Sequence, residues 1–267
     1  MQKIKSFTTI GLGKTGKIFT YIFKEKLKFD LEYVIDINNG EKEFLNTEIL
    51  TALPSKINSD LIIISTPDDK IEETINLLNS KNITKKDCIF LHISGALYIK
   101  SELNIVSIHP MMSFTNYKND LKRLASHYFS LQSDKDNLIE VFTPIIKKIS
   151  ENFIIIKGND KKFFHLASVM INNFSTSLMK SSVEIIKKLN ISETDALNML
   201  LPLFEDVFIN LKKNQDINKS LTGPIIRNDK KTIDLHLKLL KDNNLNDENA
   251  IYLTFFEYIT KNFLLLK

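Results

Sequence analysis

Ser6-Phe7-Thr8-Thr9-Ile10-Gly11-Leu12-Gly13-Lys14-Thr15-Gly16-Lys17-Ile18-Phe19-Thr20-Tyr21 is the stretch from which the fold can be read. Its first five residues are rich in β-branched and aromatic side chains and spell a strand, and from Thr15 the apolar positions recur with a helical period. Between the two, Gly11, Gly13 and Gly16 stand in the spacing G-x-G-x-x-G. Each glycine has a physical task in a strand, turn and helix. Gly11 permits the tight turn, Gly13 lets the backbone approach a pyrophosphate, and Gly16 lets helix and strand pack closely, while the helix N-terminus offers free N–H groups and a positive dipole end. Asp36 closes the next expected strand, about 20 residues on, where a carboxylate accepts from ribose hydroxyls. Together they imply a dinucleotide site made of Gly11, Leu12, Gly13, Lys14, Thr15, Gly16 and Asp36; a turn serving compact packing alone is the competing explanation. A carboxylate at 36 repels a 2′-phosphate, which favours NAD over NADP, although Asn38, Asn39 and Lys42 offer the makings of a phosphate site.

Downstream, short β-branched runs alternate with longer amphipathic segments. Strands are expected at 6–10, 32–36, 61–65, 89–93, 105–108, 128–131 and 153–156, and helices at 15–26, 69–79 and 136–150. Leu61-Ile62-Ile63-Ile64 is apolar on both faces, as a central strand covered on both sides must be. The alternation predicts an α/β domain over residues 1–157, a Rossmann-type doubly wound parallel sheet. From 158 the alternation stops and helical periods run through 163–189, 194–213, 230–241 and 248–265, which predicts an all-helical second domain over 158–267. The short boundary at Lys157-Gly158-Asn159-Asp160 predicts two domains packed around a cleft.

Composition narrows the function classes. The chain has 267 residues, 43% apolar and 25% charged, with a net charge of +4, and at roughly 150 residues per domain this suggests two. Its basic residues are scattered lysines without an arginine-rich stripe, so nucleic acid is not expected as a partner. The single cysteine, Cys88, sits in an apolar run and fits a reducing compartment. Lys3 and Lys5 ahead of apolar residues imitate a signal peptide, but Gly11, Gly13, Gly16, Lys14 and Lys17 break the imitation. No segment approaches the ~18 to 20 apolar residues of a membrane span. A soluble, cytoplasmic protein is expected.

Further candidates fall at expected strand ends, where ligands of such folds bind. Ser65-Thr66-Pro67 closes the 61–65 strand; Thr66 either caps the following helix with Pro67 at its first position or lines the cofactor. Ser94 and Gly95, after His92, offer a hydroxyl and an approachable backbone. His109, fixed by Pro110, is a candidate acid or base. In the helical part Lys161, His165, Ser168 and Asn172 fall on one face, a polar stripe that looks either to solvent or into the cleft. Hydride transfer needs a proton donor, which Lys161 or His165 can supply while Asn172 orients the substrate. Gly223-Pro224 turns the chain ahead of Arg227, either a carboxylate clamp or part of an ordinary connection with Asp229 as N-cap. No metal-ligand spacing appears.

The motifs Gly11 to Gly16, Thr66-Pro67-Asp68-Asp69, His92-Ile93-Ser94-Gly95-Ala96-Leu97, His109-Pro110-Met111-Met112-Ser113-Phe114, His165 with Asn173, and Thr222-Gly223-Pro224 with Arg227 and Asp229 occur together, in this order, in a known family. In them the chain resembles the two-domain Rossmann-like proteins catalogued as domain of unknown function 2520, often labelled NADP oxidoreductases. That family is similar in turn to deazaflavin-dependent NADP reductases, pyrroline-5-carboxylate reductase and the β-hydroxyacid dehydrogenases. The resemblance implies a Rossmann domain followed by an all-helical substrate and dimerisation domain like that of 6-phosphogluconate dehydrogenase, NADP or NAD as cofactor, and a homodimer. It implies no particular substrate. Asn228 stands where the family has glycine, and the family pattern points to Asn173 where helical phase selects Asn172. The resulting expectation is an NAD(P)-dependent oxidoreductase passing a hydride between nicotinamide and a small polar substrate in the interdomain cleft. Lys161, His165, His109 and Asn172 or Asn173 would serve catalysis, and Ser94, Thr222 and Arg227 the substrate. A non-catalytic nucleotide-sensing or interaction protein on the same fold is the alternative.

Overall fold

The computed structural model describes residues 4–37, 40–115 and 117–264, and the chain divides into two compact units between Met170 and Ile171. The division gives the first unit the helix at 161–169, which a boundary at 157 assigns to the second.

In the first unit the expected strands form as β1 (Ser6–Ile10), β2 (Asp30–Ile35), β5 (Leu61–Ile64), β6 (Ile89–His92), β7 (Asn104–Pro110), β8 (Phe129–Gln132) and β9 (Phe153–Ile155). Two more, β3 (Glu43–Phe44) and β4 (Thr47–Leu50), make a hairpin that was not expected. Its turn residues Leu45 and Asn46 have φ of 52° and 56°; tight hairpins need this left-handed pair, and leucine gives no sequence sign of it. The described sheet runs in the order β3-β4-β2-β1-β5-β6-β7-β8-β9. Its centre is parallel, as expected, but β8 pairs antiparallel with β7, so the sheet is mixed. The reason is the connection between them, whose helix α3 (Tyr117–Arg123) is seven residues long. The chain returns at the same end of the sheet, where Met111 N–H donates to Tyr128 O at 2.8 Å, instead of crossing over.

Helices α1 (Lys14–Tyr21), α2 (Asp68–Ser80) and α4 (Asp136–Lys147) follow β1, β5 and β8. All four residues of β5 are fully buried. Leu61 and Ile63 pack with Phe7, Phe19, Phe23 and Phe142, while Ile62 and Ile64 pack with Ile71, Ile75, Leu78 and Phe90, the two-residue alternation of a strand covered on both faces. Since β1 lies between β2 and β5, the strand order reverses there, and the carboxyl ends of β1 and β5 border a crevice.

Helix α5 (Lys161–Val169) closes the first unit and runs into a wide, π-type turn at Met170–Phe174. The second unit is helical throughout its described residues: α6 (Ser175–Lys187), α7 (Glu193–Asn214), α8 (Ile217–Ser220), α9 (Lys230–Asp242) and α10 (Asn246–Ile259), with a second wide turn at Thr260–Leu264. Ser192 caps α7 by accepting from Asp195 N–H at 3.1 Å. Phe204, Val207 and Phe208 on α7, Leu235 and Leu239 on α9 and Phe255 and Tyr258 on α10 are exposed, an unusual share of large apolar side chains for a surface.

The tightest joint is at Gly16, where a Cβ would lie 2.3 Å from the Gly11 carbonyl oxygen and 2.5 Å from Ser65 Oγ. Gly16→Ala should lower the stability of the first unit by about 1–3 kcal/mol, as overpacking does, read as a fall in the denaturant midpoint at unchanged slope.

Candidate functional site

The glycine loop is held by its neighbours. Gly11, at φ +89°, donates its N–H to Ile35 O at 2.8 Å and lies so close to β5 that a Cβ would meet Ser65 C and Thr66 N at 2.8 Å. Ser65 Oγ donates back to Gly11 O at 2.5 Å. Asp36 accepts from Leu12 N–H at 2.5 Å, so this carboxylate shapes the loop that the sequence pairs it with. Gly13 differs from both: its φ of −64° is ordinary and a Cβ there would meet nothing within 4 Å. The protein itself gives no reason for glycine at 13, and a body lying over the loop does. Gly13 precedes α1 without any side-chain cap, and Lys14 is exposed beside it. The first-turn N–H groups therefore face outward, as an anion site requires. Asn38 and Asn39 lie outside the described residues.

Thr66 does not cap α2. The N-cap is Pro67, with no side-chain hydrogen bond, because the helix begins at Asp68. Thr66 Oγ1 is instead buried without a partner. A buried hydroxyl left unpaired costs about 1–3 kcal/mol, so this atom, like the open face of Gly13, fits a ligand that supplies what is missing. Ser94 is already engaged: its hydroxyl donates to Asp68 Oδ2 at 2.6 Å and accepts from the N–H groups of Ala96 and Leu97 at 3.2 and 3.0 Å.

From the loop a cavity of about 240 Å³ runs past Thr15, Ser65, Thr66 and Asp68 to Gly95, His109, Phe114 and His165. It lies within the first unit. Two histidines meet over Gly95: a Cβ there would lie 2.6 Å from His165 Nδ1 and 2.8 Å from His109 Nε2, and the rings stand edge to face at 6.1 Å. His109 Nδ1 lies 2.9 Å from Ile93 O. A carbonyl only accepts, so Nδ1 carries the proton and Nε2 presents its lone pair. Burial holds the His109 pKa down at about 4, against the opposing pull of the Ile93 hydrogen bond, so the ring is neutral at pH 7. His165 Nδ1 is buried and unpartnered.

The polar stripe on α5 faces neither bulk solvent nor this cavity at its first member. Lys161 is fully buried and donates to Ser107 Oγ, while the apolar residues of the same helix point out, Phe163 at 74% exposure and Leu166 at 54%. Ser107 escaped the sequence reading; its sign was its place two residues before His109, on the same face of β7. It also approaches buried His92, which burial holds at about 3. Asp68 and Phe114 are further cavity residues whose roles the sequence left unassigned. Burial pushes the Cys88 thiol up to about 12, which leaves it inert. Among the described residues no group of three or more side chains could hold a metal ion, and no helix is long and apolar enough to cross a membrane.

Residues 127–259 match the family described as Domain of unknown function (DUF2520). They belong to the DUF2520 family. No curated protein matches the chain. Among solved structures it is similar to protein BF3122 of Bacteroides fragilis, described as a candidate NADP oxidoreductase, at 18% identity and a TM-score of 0.77 over 97% of this chain and 99% of that one. Protein TM1727 of Thermotoga maritima gives 23% identity and 0.74 over 96% and 97%. The NADP-bound pyrroline carboxylate reductase of Plasmodium falciparum gives 15% and 0.57 over 96% of each chain. At these identities the likeness is one of fold, a Rossmann-type sheet with a helical C-terminal region.

The DUF2520 segment starts at residue 127 and so contains α5 and the helical unit but not the glycine loop. Of its candidates, Asn172 and Asn173 lie in the wide turn at 170–174, exposed, with Asn172 Nδ2 donating to Asn173 Oδ1 at 2.9 Å. That turn holds an extra residue, so helical phase counted from Lys161 does not carry through it. Thr222 and Arg227 are exposed in the second unit. Asp229 is the N-cap of α9, accepting from Thr232 N–H at 3.2 Å, and Asn228 takes a left-handed φ of 54°, a conformation that asparagine tolerates.

Burial lowers the Lys161 pKa from 10.5 to about 7. Between those values the unfolded chain binds the extra proton and the folded one does not, so stability should rise with pH by up to ~1.4 kcal/mol per pH unit. Lys161→Met, of similar length and without the charge, should flatten that rise; denaturant titrations at pH 7, 8 and 9 measure it.

Proposed function

We propose that this protein is an NAD(P)-dependent oxidoreductase acting on a small polar substrate. The carrying observation is one cavity that reaches from Thr15, at the start of the helix after the glycine loop, to a pair of histidines over Gly95. The fold shared with the candidate NADP oxidoreductase and the pyrroline carboxylate reductase supports the same reading, as does the likeness to the Myxococcus stipitatus imine reductase in complex with NADP+.

The bound nicotinamide would accept or supply the hydride. The chain's part is to bind and to orient. Gly13 and the first turn of α1 take the pyrophosphate, Asp36 the adenosine ribose, and the orphaned Thr66 hydroxyl a cofactor atom deeper in. His109 and His165 flank the reacting group of the substrate beside Gly95. Lys161, sealed behind Ser107, acts through the strand and helix that it ties together and not by contact. Asp36 favours a free 2′-hydroxyl, hence NADH over NADPH.

The open apolar surface of the helical unit supports a homodimer, since helices with faces as exposed as those of Phe204, Phe208 and Leu239 are stabilised by covering them. The reading adds no nucleic-acid or membrane partner and places the protein in the cytoplasm.

Titration with NADH and NADPH, followed by the cofactor's own fluorescence, should show saturable binding, tighter for NADH. Gly13→Leu should abolish it while leaving the melting temperature within a degree or two, because nothing in the fold opposes a side chain there; wild-type binding by that variant would sink the assignment of the loop. Binding without turnover of any substrate would favour a nucleotide sensor. Light scattering should give twice the chain mass of 30.8 kDa, and Phe208→Glu should shift it toward the monomer.

A further inference from the structure

Apart from the Thr15 and Thr66 hydroxyls, which belong to the part of the cavity beside the glycine loop, the side chains around Gly95 offer hydrogen-bond acceptors and almost no donors. His109 Nε2 presents a lone pair, fixed by the Nδ1–H bond to Ile93 O, and among the described residues it has no partner. Asp68 adds a carboxylate of which Oδ2 accepts from Ser94 while Oδ1 has no hydrogen bond. The Ser65 and Ser94 hydroxyls spend their protons on Gly11 O and Asp68. No lysine or arginine is among the lining residues, and the nearest buried cation, Lys161, is committed to Ser107. His165 Nδ1 is the remaining unpaired nitrogen and can donate or accept according to its tautomer.

We infer that this cavity recognises a ligand through a hydrogen-bearing nitrogen or oxygen, an amine or an alcohol, in preference to a carbonyl or carboxylate. A hydroxyl donates to His109 Nε2 and accepts from His165; an amine donates to His109 and, when protonated, is drawn to Asp68. A ketone oxygen or a carboxylate meets lone pair against lone pair at His109, and a carboxylate meets Asp68 as a like charge as well. Burial, which keeps His109 neutral at pH 7, prevents the ring from becoming a donor to rescue them. The inference rests on the reading of this cavity as the substrate site, and it extends that reading to the substrate's class.

The test uses the full chain labelled with 15N-histidine, the His109 signals being assigned by their loss in His109→Gln. Nε2 should appear unprotonated from pH 6 to 8. Four probes that share one ring, cyclopentylamine, cyclopentanol, cyclopentanone and cyclopentanecarboxylate, are then titrated. The amine and the alcohol should move the Nε2 resonance and bind at least about tenfold more tightly than the other two, the size of one hydrogen bond made or refused; in His109→Phe the alcohol should lose its advantage over the ketone, while the pull of Asp68 on the protonated amine and its repulsion of the carboxylate remain. Selection of the amine alone would place the recognition on Asp68 and His109 together, and equal selection of amine and alcohol on His109. A protonated Nε2 at pH 7, equal or tighter binding of the ketone or carboxylate, or binding of none of the four would overturn the inference. NADH binding is measured on the same samples. Cofactor binding without probe selectivity removes this inference and leaves the oxidoreductase reading standing, and probe selectivity without cofactor binding does the reverse.

Discussion

The approach of α1 to β1 and β5 at Gly16 is the constraint on which the rest of the first unit depends. No side chain fits between that residue and the Gly11 carbonyl, so the helix starts directly over the strand ends. This closeness turns the free N–H groups of its first turn toward the crevice and leaves Gly13 uncovered. It also brings Ser65 onto Gly11 O, which joins the loop after β1 to the loop after β5. Thr15, Ser65, Thr66 and Asp68 line the cavity from the loops and helices that meet at this joint, while Gly95 and His109 reach it from the ends of β6 and β7 and His165 from α5.

Much of this was legible in the sequence because its signals are local. Three glycines at fixed spacing, an all-apolar central strand and an acid at a strand end each reflect a requirement of nearby backbone. The hairpin of β3 and β4 was hidden because its turn puts a leucine at a left-handed φ, for which composition gives no warning. The antiparallel return of β8 was hidden because strand propensity carries no direction; the shortness of the α3 connection was the available sign.

For the site, periodicity correctly placed Lys161, His165 and Ser168 on one face of α5 but not the way that face points. A helix with an apolar and a polar side is expected to bury the apolar one. Here Lys161 is buried and Phe163 is open, because the sheet offers Ser107 as a partner, a contact between residues 54 apart in sequence. The Thr66 hydroxyl carries the same lesson. Its residue type and its place before Pro67 suit a cap, and only the position at which the helix begins shows that it is left without one.

The Ser94 hydroxyl, donating to Asp68 and accepting from Ala96 and Leu97, fastens the loop after β6 to the first turn of α2. Two walls of the cavity thereby move as one piece, and His109 is fixed against the same loop through Ile93 O. Little conformational freedom is left for a ligand to remove on entry, so the affinity of the pocket is governed by how well its acceptors are matched and hardly at all by the entropy of ordering it.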